Sequence, residues 1–177
     1  MVDEWTQRIV DNGRLEGNSD PTLRLKESER DGVAAEVLFP DFGLPFELYS
    51  PFLAAAMGFS RTPEQVDVGN RAFNRWLADF CNAAPGRFAG MASVSFHDVD
   101  AALIEIRAAR EAGLHGIVLP MFDEARPVFD PAFEPIWALL EELDMPVNSH
   151  TGTSSAGAVP LVPPVPHPTC ALPIFSP

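Results

Sequence analysis

Basic residues are scarce in this 177-residue chain: 12 Lys and Arg stand against 25 Asp and Glu, a formal charge of -13. Nucleic acids and anionic membrane surfaces are held by clustered Lys and Arg, so neither is expected as a partner, and the acidic surplus is read as solubility. No window reaches the ~20 apolar residues of a membrane span, and no amino-terminal stretch has the basic start and apolar run of a signal peptide. Cysteine is nearly absent. Cys81 and Cys170 lie far outside any C-x-x-C spacing and point to a reducing compartment, so a cytoplasmic protein is expected. No G-x-G-x-x-G or G-x-x-x-x-G-K-[ST] follows a strand-like run, which disfavours a phosphate-binding domain. Histidine is also rare: there are four, none before His97.

What is present is ordinary for one globular domain, 46% hydrophobic and 21% charged. Residues 1–19 lack sustained periodicity and read as an irregular lead-in. Ser19-Asp20-Pro21 then offers a helix start, with a stop at Gly32. Val33 to Phe39 is an apolar run of strand length, expected to be a buried parallel strand, and its one charge, Glu36, is expected to be solvated or hydrogen-bonded. Leu44 to Phe59 is rich in Pro, Phe and Ala and reads as a loop with a short helix near Phe52 to Met57.

Thr62-Pro63 opens the longest helix, whose apolar stripe is Val66, Phe73, Trp76, Leu77, Phe80, Cys81 and Ala84. That stripe makes Cys81 a small buried residue rather than a nucleophile. Arg87 to Phe96 is the next strand, followed by His97 and by Asp98 as a helix N-cap. Gly116 to Pro120 is a short buried strand, with His115 at its amino-terminal side and a loop through Met121 and Phe122 beyond it. Asp130-Pro131 starts a helix with a buried face of Phe133, Ile136, Trp137, Leu140 and Leu143. Pro146 to His150 begins a last strand.

Strands and helices therefore alternate, and right-handed crossovers lay such strands parallel, with their carboxyl ends along one edge. Ligands of parallel α/β proteins gather at that edge. His150 at the tip of the last strand is the candidate metal ligand, and Asp41, Phe96, His97, Met121 and Phe122 are candidates to line a substrate pocket. His97 has solvent as its competing environment. Ser149 and His150 are adjacent and point to opposite faces of a strand, so they do not form a Ser-His pair. From Thr153 to Pro177 there are seven prolines and no Asp, Glu, Lys or Arg, which reads as an extended tail foreign to the fold.

Asp31 to Pro40, Asn82 to Phe88, Gly113 to Ile117, and Phe129-Asp130-Pro131 through Trp137 to Pro146–Gly152, taken in this order and spacing, resemble the amidohydrolase-related family. The similar branch includes aminocarboxymuconate-semialdehyde decarboxylase and other non-oxidative decarboxylases. The resemblance implies an α/β fold, an eight-stranded (β/α) TIM barrel, of which residues 20–152 would supply about strands two to five. It further implies a divalent metal, zinc being the usual one, with His150 matching the histidine at the tip of the fifth strand. The family's His-x-His pair belongs before residue 20, and its sixth-strand histidine and eighth-strand aspartate belong after residue 152; none of them has a counterpart here. The catalytic residues are therefore unassigned, and this polypeptide alone is expected to be an inactive fragment, since a catalytic zinc needs about three protein ligands. The implied activity is that of a hydrolase or carboxy-lyase on a small carboxylate or carbonyl compound. A non-catalytic Rossmann- or flavodoxin-type binding domain is the alternative that the βα repeat alone permits. Open strand edges lead to the expectation of self-association as a homo-oligomer.

Overall fold

In the computed structural model, residues 2–7, 11, 16–40, 62–120, 122 and 126–149 are described. The expected helix near Phe52 to Met57 and the residues Asp41, Met121 and His150 lie outside them. The elements are α1 (Val2–Trp5), α2 (Pro21–Arg30), β1 (Glu36–Leu38), α3 (Pro63–Asn82), β2 (Phe88–Ser93), α4 (Val99–Glu111), β3 (Gly116–Val118), α5 (Glu134–Glu142) and β4 (Val147–Asn148). Two short 3-10 turns, Glu16–Asn18 and Pro131–Phe133, stand before α2 and α5. The lead-in therefore holds two pieces of helical structure that its lack of periodicity did not announce.

The helix starts follow from their caps. Asp20 Oδ1 accepts from the N–H groups of Thr22 and Leu23 at 2.8 and 3.1 Å, with Pro21 at the first helical position. Thr62 and Gln65 form a reciprocal capping box at α3, and Asp98 accepts from the Ala101 N–H at 3.0 Å at α4. Asp130 caps only the 3-10 turn, through the Ala132 N–H at 2.8 Å, so the expected helix begins four residues later, at Glu134. The reason is Pro135, which has no N–H to bond the Pro131 carbonyl and so cannot continue α-helical pairing through the turn.

Four strands form one parallel sheet in the order β1-β2-β3-β4. Doubly wound sheets reverse direction at a switch point, and neither of their common orders contains four strands side by side in chain order. A singly wound arc of a (β/α) barrel does. The pairing also steps along the strands: β1 pairs with Phe88, Ala89 and Gly90 of β2, whereas β3 pairs with Met91, Ala92 and Ser93. Such a stagger is what a closing barrel requires.

The core lies between the sheet and α3, α4 and α5, with Leu77, Ile106, Leu114, Ile117 and Ile136 buried. Gly90 permits the close seating of α3 on β2: a Cβ there would lie 2.8 Å from Leu114, 2.9 Å from Leu77 and 3.0 Å from Cys81. On the other face Met91 and Val118 form a small apolar pair.

The expectation of a buried first strand is overturned. Val33, Val37 and Phe39 are 39%, 53% and 43% exposed, because among the described strands β1 has a neighbour on one side only. β1 is also shorter than expected, since Arg87 Nε and one terminal nitrogen donate to the Ala34 and Val33 carbonyls and draw off the groups a longer ladder would use. Trp76, expected on the packed stripe, is 43% exposed and leans between Phe73 and Phe80, with ring centroids at 5.7 and 5.3 Å. On α5 Leu139 is buried in addition to Ile136 and Leu140.

Candidate active site at the carboxyl edge of the sheet

Because the strands are parallel, their carboxyl ends share one edge, where β1 runs out at Pro40, β2 into Phe96 and His97, β3 into Leu119 and Pro120, and β4 at Asn148. The edge is tied together by polar side chains. Asn148 Nδ2 donates to the Ile117 carbonyl at 3.2 Å and lies 3.1 Å from Met91 Sδ, fixing the end of β4 against β3 and β2.

Past β2 the polar groups form a chain. Ser93 Oγ donates to Asn70 Oδ1 at 2.9 Å, Asn70 Nδ2 to Ser95 Oγ at 3.1 Å, and Ser95 Oγ to Asp67 Oδ1 at 2.8 Å. His97 Nε2 stands 3.2 Å from the other Asp67 oxygen. The Asp67 carboxylate thus orients the imidazole through Nε2, leaving Nδ1 on the outer side of the ring. A small cavity of about 20 Å³, room for a single water, lies between α3 and α4 against Asp67, Asn70, Arg71, Ser95 and Glu105. Every buried side-chain nitrogen and oxygen among the described residues has a hydrogen-bond partner.

The pocket candidates fare differently. Phe96 is 3% exposed and packs against Phe122, Phe133 and Trp137, with centroids at 5.7, 5.5 and 5.5 Å. Its faces are spent on the core, which corrects its assignment to a pocket wall. Phe122, half-buried, joins the same cluster at 5.6 Å from Phe133. Arg126 lies over Phe133, 4.8 Å from the ring centroid, and donates to the His97 carbonyl at 3.2 Å. His97 itself is exposed and bound to Asp67 rather than free in solvent. His115 is exposed at the amino-terminal side of β3, its N–H donating to the Gly90 carbonyl at 2.9 Å. Cys81 is buried, and that burial pushes its thiol up against the opposing pull of the Gly90 backbone, so it is a poor nucleophile.

Glu36 confirms the bland expectation. Arg24 Nε donates to it at 2.9 Å, and the Ser28 hydroxyl donates to its other oxygen. Burial pushes the carboxyl up, but the hydrogen bonds from Arg24 and Ser28 and the charges of Arg24 and Arg87 outweigh this and hold it below the usual value.

The polar chain on Asn70, Asn74, Ser93 and Ser95 was missed in the sequence. Its signal was there: asparagines at positions 70 and 74 interrupt the apolar stripe of α3 one turn apart, and serines at positions 93 and 95 alternate through and just past β2.

Among the described residues no group of three or more His, Cys, Asp and Glu is gathered so as to hold a metal ion. The described part of the edge therefore does not by itself fit a resident divalent cation. No described helix is long and apolar enough to cross a membrane.

The sequence model of the amidohydrolase family matches residues 23–175. The chain belongs to the amidohydrolase family. The match runs past residue 152, across the proline-rich stretch. Gamma-resorcylate decarboxylase of Rhodococcus jostii (strain RHA1) is 35% identical over 95 residues, covering 48% of this chain and 29% of that protein. The crystal structure of 2,6-dihydroxybenzoate decarboxylase from Rhizobium superposes with a TM-score of 0.55 at 25% identity, over 72% of this chain and 38% of that one. 5-Carboxyvanillate decarboxylase of Novosphingobium aromaticivorans, with bound manganese and a nitrobenzoic acid, gives a TM-score of 0.52 at 28% identity, over 72% and 33%. This member of the amidohydrolase family thus spans well under half the length of these relatives.

Proposed function

We propose that this chain supplies about strands two to five of a metal-dependent carboxy-lyase that releases carbon dioxide from a small hydroxylated aryl carboxylate. The observation that carries the reading is the run of four parallel strands in chain order, joined to likeness with three decarboxylases of hydroxylated benzoates. Hydrolysis is the second activity the family supports, and the names of these relatives favour carboxy-lyase chemistry. His150, two residues beyond Asn148, is the proposed ligand of the divalent metal. Manganese is supported by the carboxyvanillate enzyme, and zinc by imidazole being a common zinc ligand. The remaining ligands are proposed to come from parts of the barrel other than β1 to β4.

The contribution of the described residues is scaffolding. Asn148 fixes the end of β4, and Asp67 holds His97 at the rim. Residues 20–152 are proposed as the barrel portion, with self-association through the exposed apolar side chains of β1 and β4.

The test is release of carbon dioxide from 2,6-dihydroxybenzoate by the whole enzyme with manganese or zinc supplied. The expected result is turnover that chelation abolishes and that falls in His150→Ala by more than about 100-fold, the upper end of what loss of an outer-shell partner of a metal ligand costs. Turnover surviving both treatments would remove the metal and His150 from the reading. Hydrolysis of amides or lactones without decarboxylation would move the protein to the hydrolase branch.

A further inference from the structure

The seating of α3 on β2 presents a problem that packing alone does not solve. The lower half of the interface is smooth: Leu77 and Cys81 lie over Gly90, a contact that tolerates a shift along the strand. The upper half is polar and specific. Asn74 is 4% exposed and makes three hydrogen bonds: Nδ2 donates to the Ser93 carbonyl at 2.9 Å and to Glu105 Oε1 at 2.7 Å, while Oδ1 accepts from the Ser93 N–H at 2.9 Å. Asn70, 2% exposed, bridges the hydroxyls of Ser93 and Ser95.

We infer that Asn70 and Asn74 are a register lock that admits one position of α3 along β2. The two residues are one turn apart, so the competing positions are slips of about 5.4 Å. If α3 moves toward the carboxyl edge, Asn74 can take the place of Asn70, but Ala78 then faces the Ser93 N–H and carbonyl and leaves both unpaired. If it moves the other way, Asn70 can replace Asn74, but Asn74 is driven over Gly90 and Ala92 with no partner, and Val66 faces two orphaned hydroxyls. Buried polar groups left unpaired disfavour both slips, as a buried asparagine fixes register in helical bundles.

The lock sets more than helix position. α3 begins at Thr62 on the carboxyl side of the sheet and carries Asp67, which holds His97. Its register therefore fixes the height of His97 and of the point where the chain enters α3 at that edge.

The test is amide hydrogen exchange on the intact chain and on Asn70→Leu/Ser93→Ala/Ser95→Ala, which replaces the side-chain bridges by apolar groups. The expected result is exchange at least about 10-fold faster over residues 62–70 with the β2 amides of residues 89–92 still protected. Unchanged exchange over 62–70 would show that the Asn70 bridges do not hold the upper half of α3, and would overturn the inference that the two asparagines act together. If the triple variant fails to fold, Asn70→Ala is measured instead. Faster exchange confined to 62–70 supports the lock, whereas a uniform rise that includes β2 reports general destabilisation and overturns it.

Discussion

β1 and β2 are neighbours in one sheet and are held by opposite means. β2 is buried at every residue but the half-buried Ala89, closed from the helix side by Leu77, Cys81 and Leu114 and tied at its carboxyl end by neutral asparagine and serine side chains. β1 shows Val37 to solvent, as does Phe39 just beyond it, and besides its ladder to β2 it is held by charged side chains: Glu36 to Arg24 on α2, and Arg87 reaching from the start of β2 to the Val33 and Ala34 carbonyls and to Glu29 at 3.1 Å. The difference shows that hydrophobic composition makes a segment a strand, while the layers around it decide whether it becomes core.

The largest effect is expected where β2 meets α3. Leu77→Ala removes a side chain that is 2% exposed at the Gly90 contact and should destabilise by about 2–5 kcal/mol in urea unfolding. A loss below about 1 kcal/mol would mean that the smooth half of the interface closes up easily.

The ionic hold on β1 should be weaker and pH-dependent. Glu36→Gln is expected to lose about 1–2 kcal/mol at neutral pH, since Arg24 is partly exposed and solvent screens the pair. A carboxyl held below its ordinary value adds stability that is present above the unfolded value, about 4.3, and lost as pH falls through the folded value. The wild type should therefore lose more stability than Glu36→Gln as pH falls from neutrality through the carboxylate range. Parallel stability profiles for the two proteins would break the contrast, and the neutral Asn70–Ser93 bridge supplies no such slope.

The smallest effect belongs to the exposed side of β1. Val37→Thr, at a position 53% exposed, should change the free energy of unfolding by no more than about 0.5 kcal/mol. A loss as large as that of Leu77→Ala would place Val37 in a core rather than at the surface.

The sequence made some of this legible and hid the rest for physical reasons. Asp20, Thr62 and Asp98 announced their helices because a cap acts within three residues of itself. Four parallel strands were legible because helix-period and strand-period segments alternate along the chain. The exposure of Val37 was not, since it depends on which strands flank β1. Phe96 was misplaced for the same kind of reason: its rings of contact come from Phe122, Phe133 and Trp137, far along the chain. Asn70 and Asn74 read as ordinary helix residues until β2 brought Ser93 and Ser95 to them. The family was legible from scattered matched stretches, and the candidates His150, Asp41 and Met121, named from the sequence, fall outside the described residues.

The central functional claim is that the carboxyl edge works with a divalent metal through His150. The most direct measurement is a manganese titration of the whole enzyme, which carries the ligands proposed to lie outside β1 to β4, followed by the imidazole resonances of His150, His97 and His115. Paramagnetic broadening that strikes His150 first, sparing His115 at the opposite side of the sheet and His97 on Asp67, is the predicted result. Broadening of His97 or His115 ahead of His150, or no selective broadening at all, would contradict it.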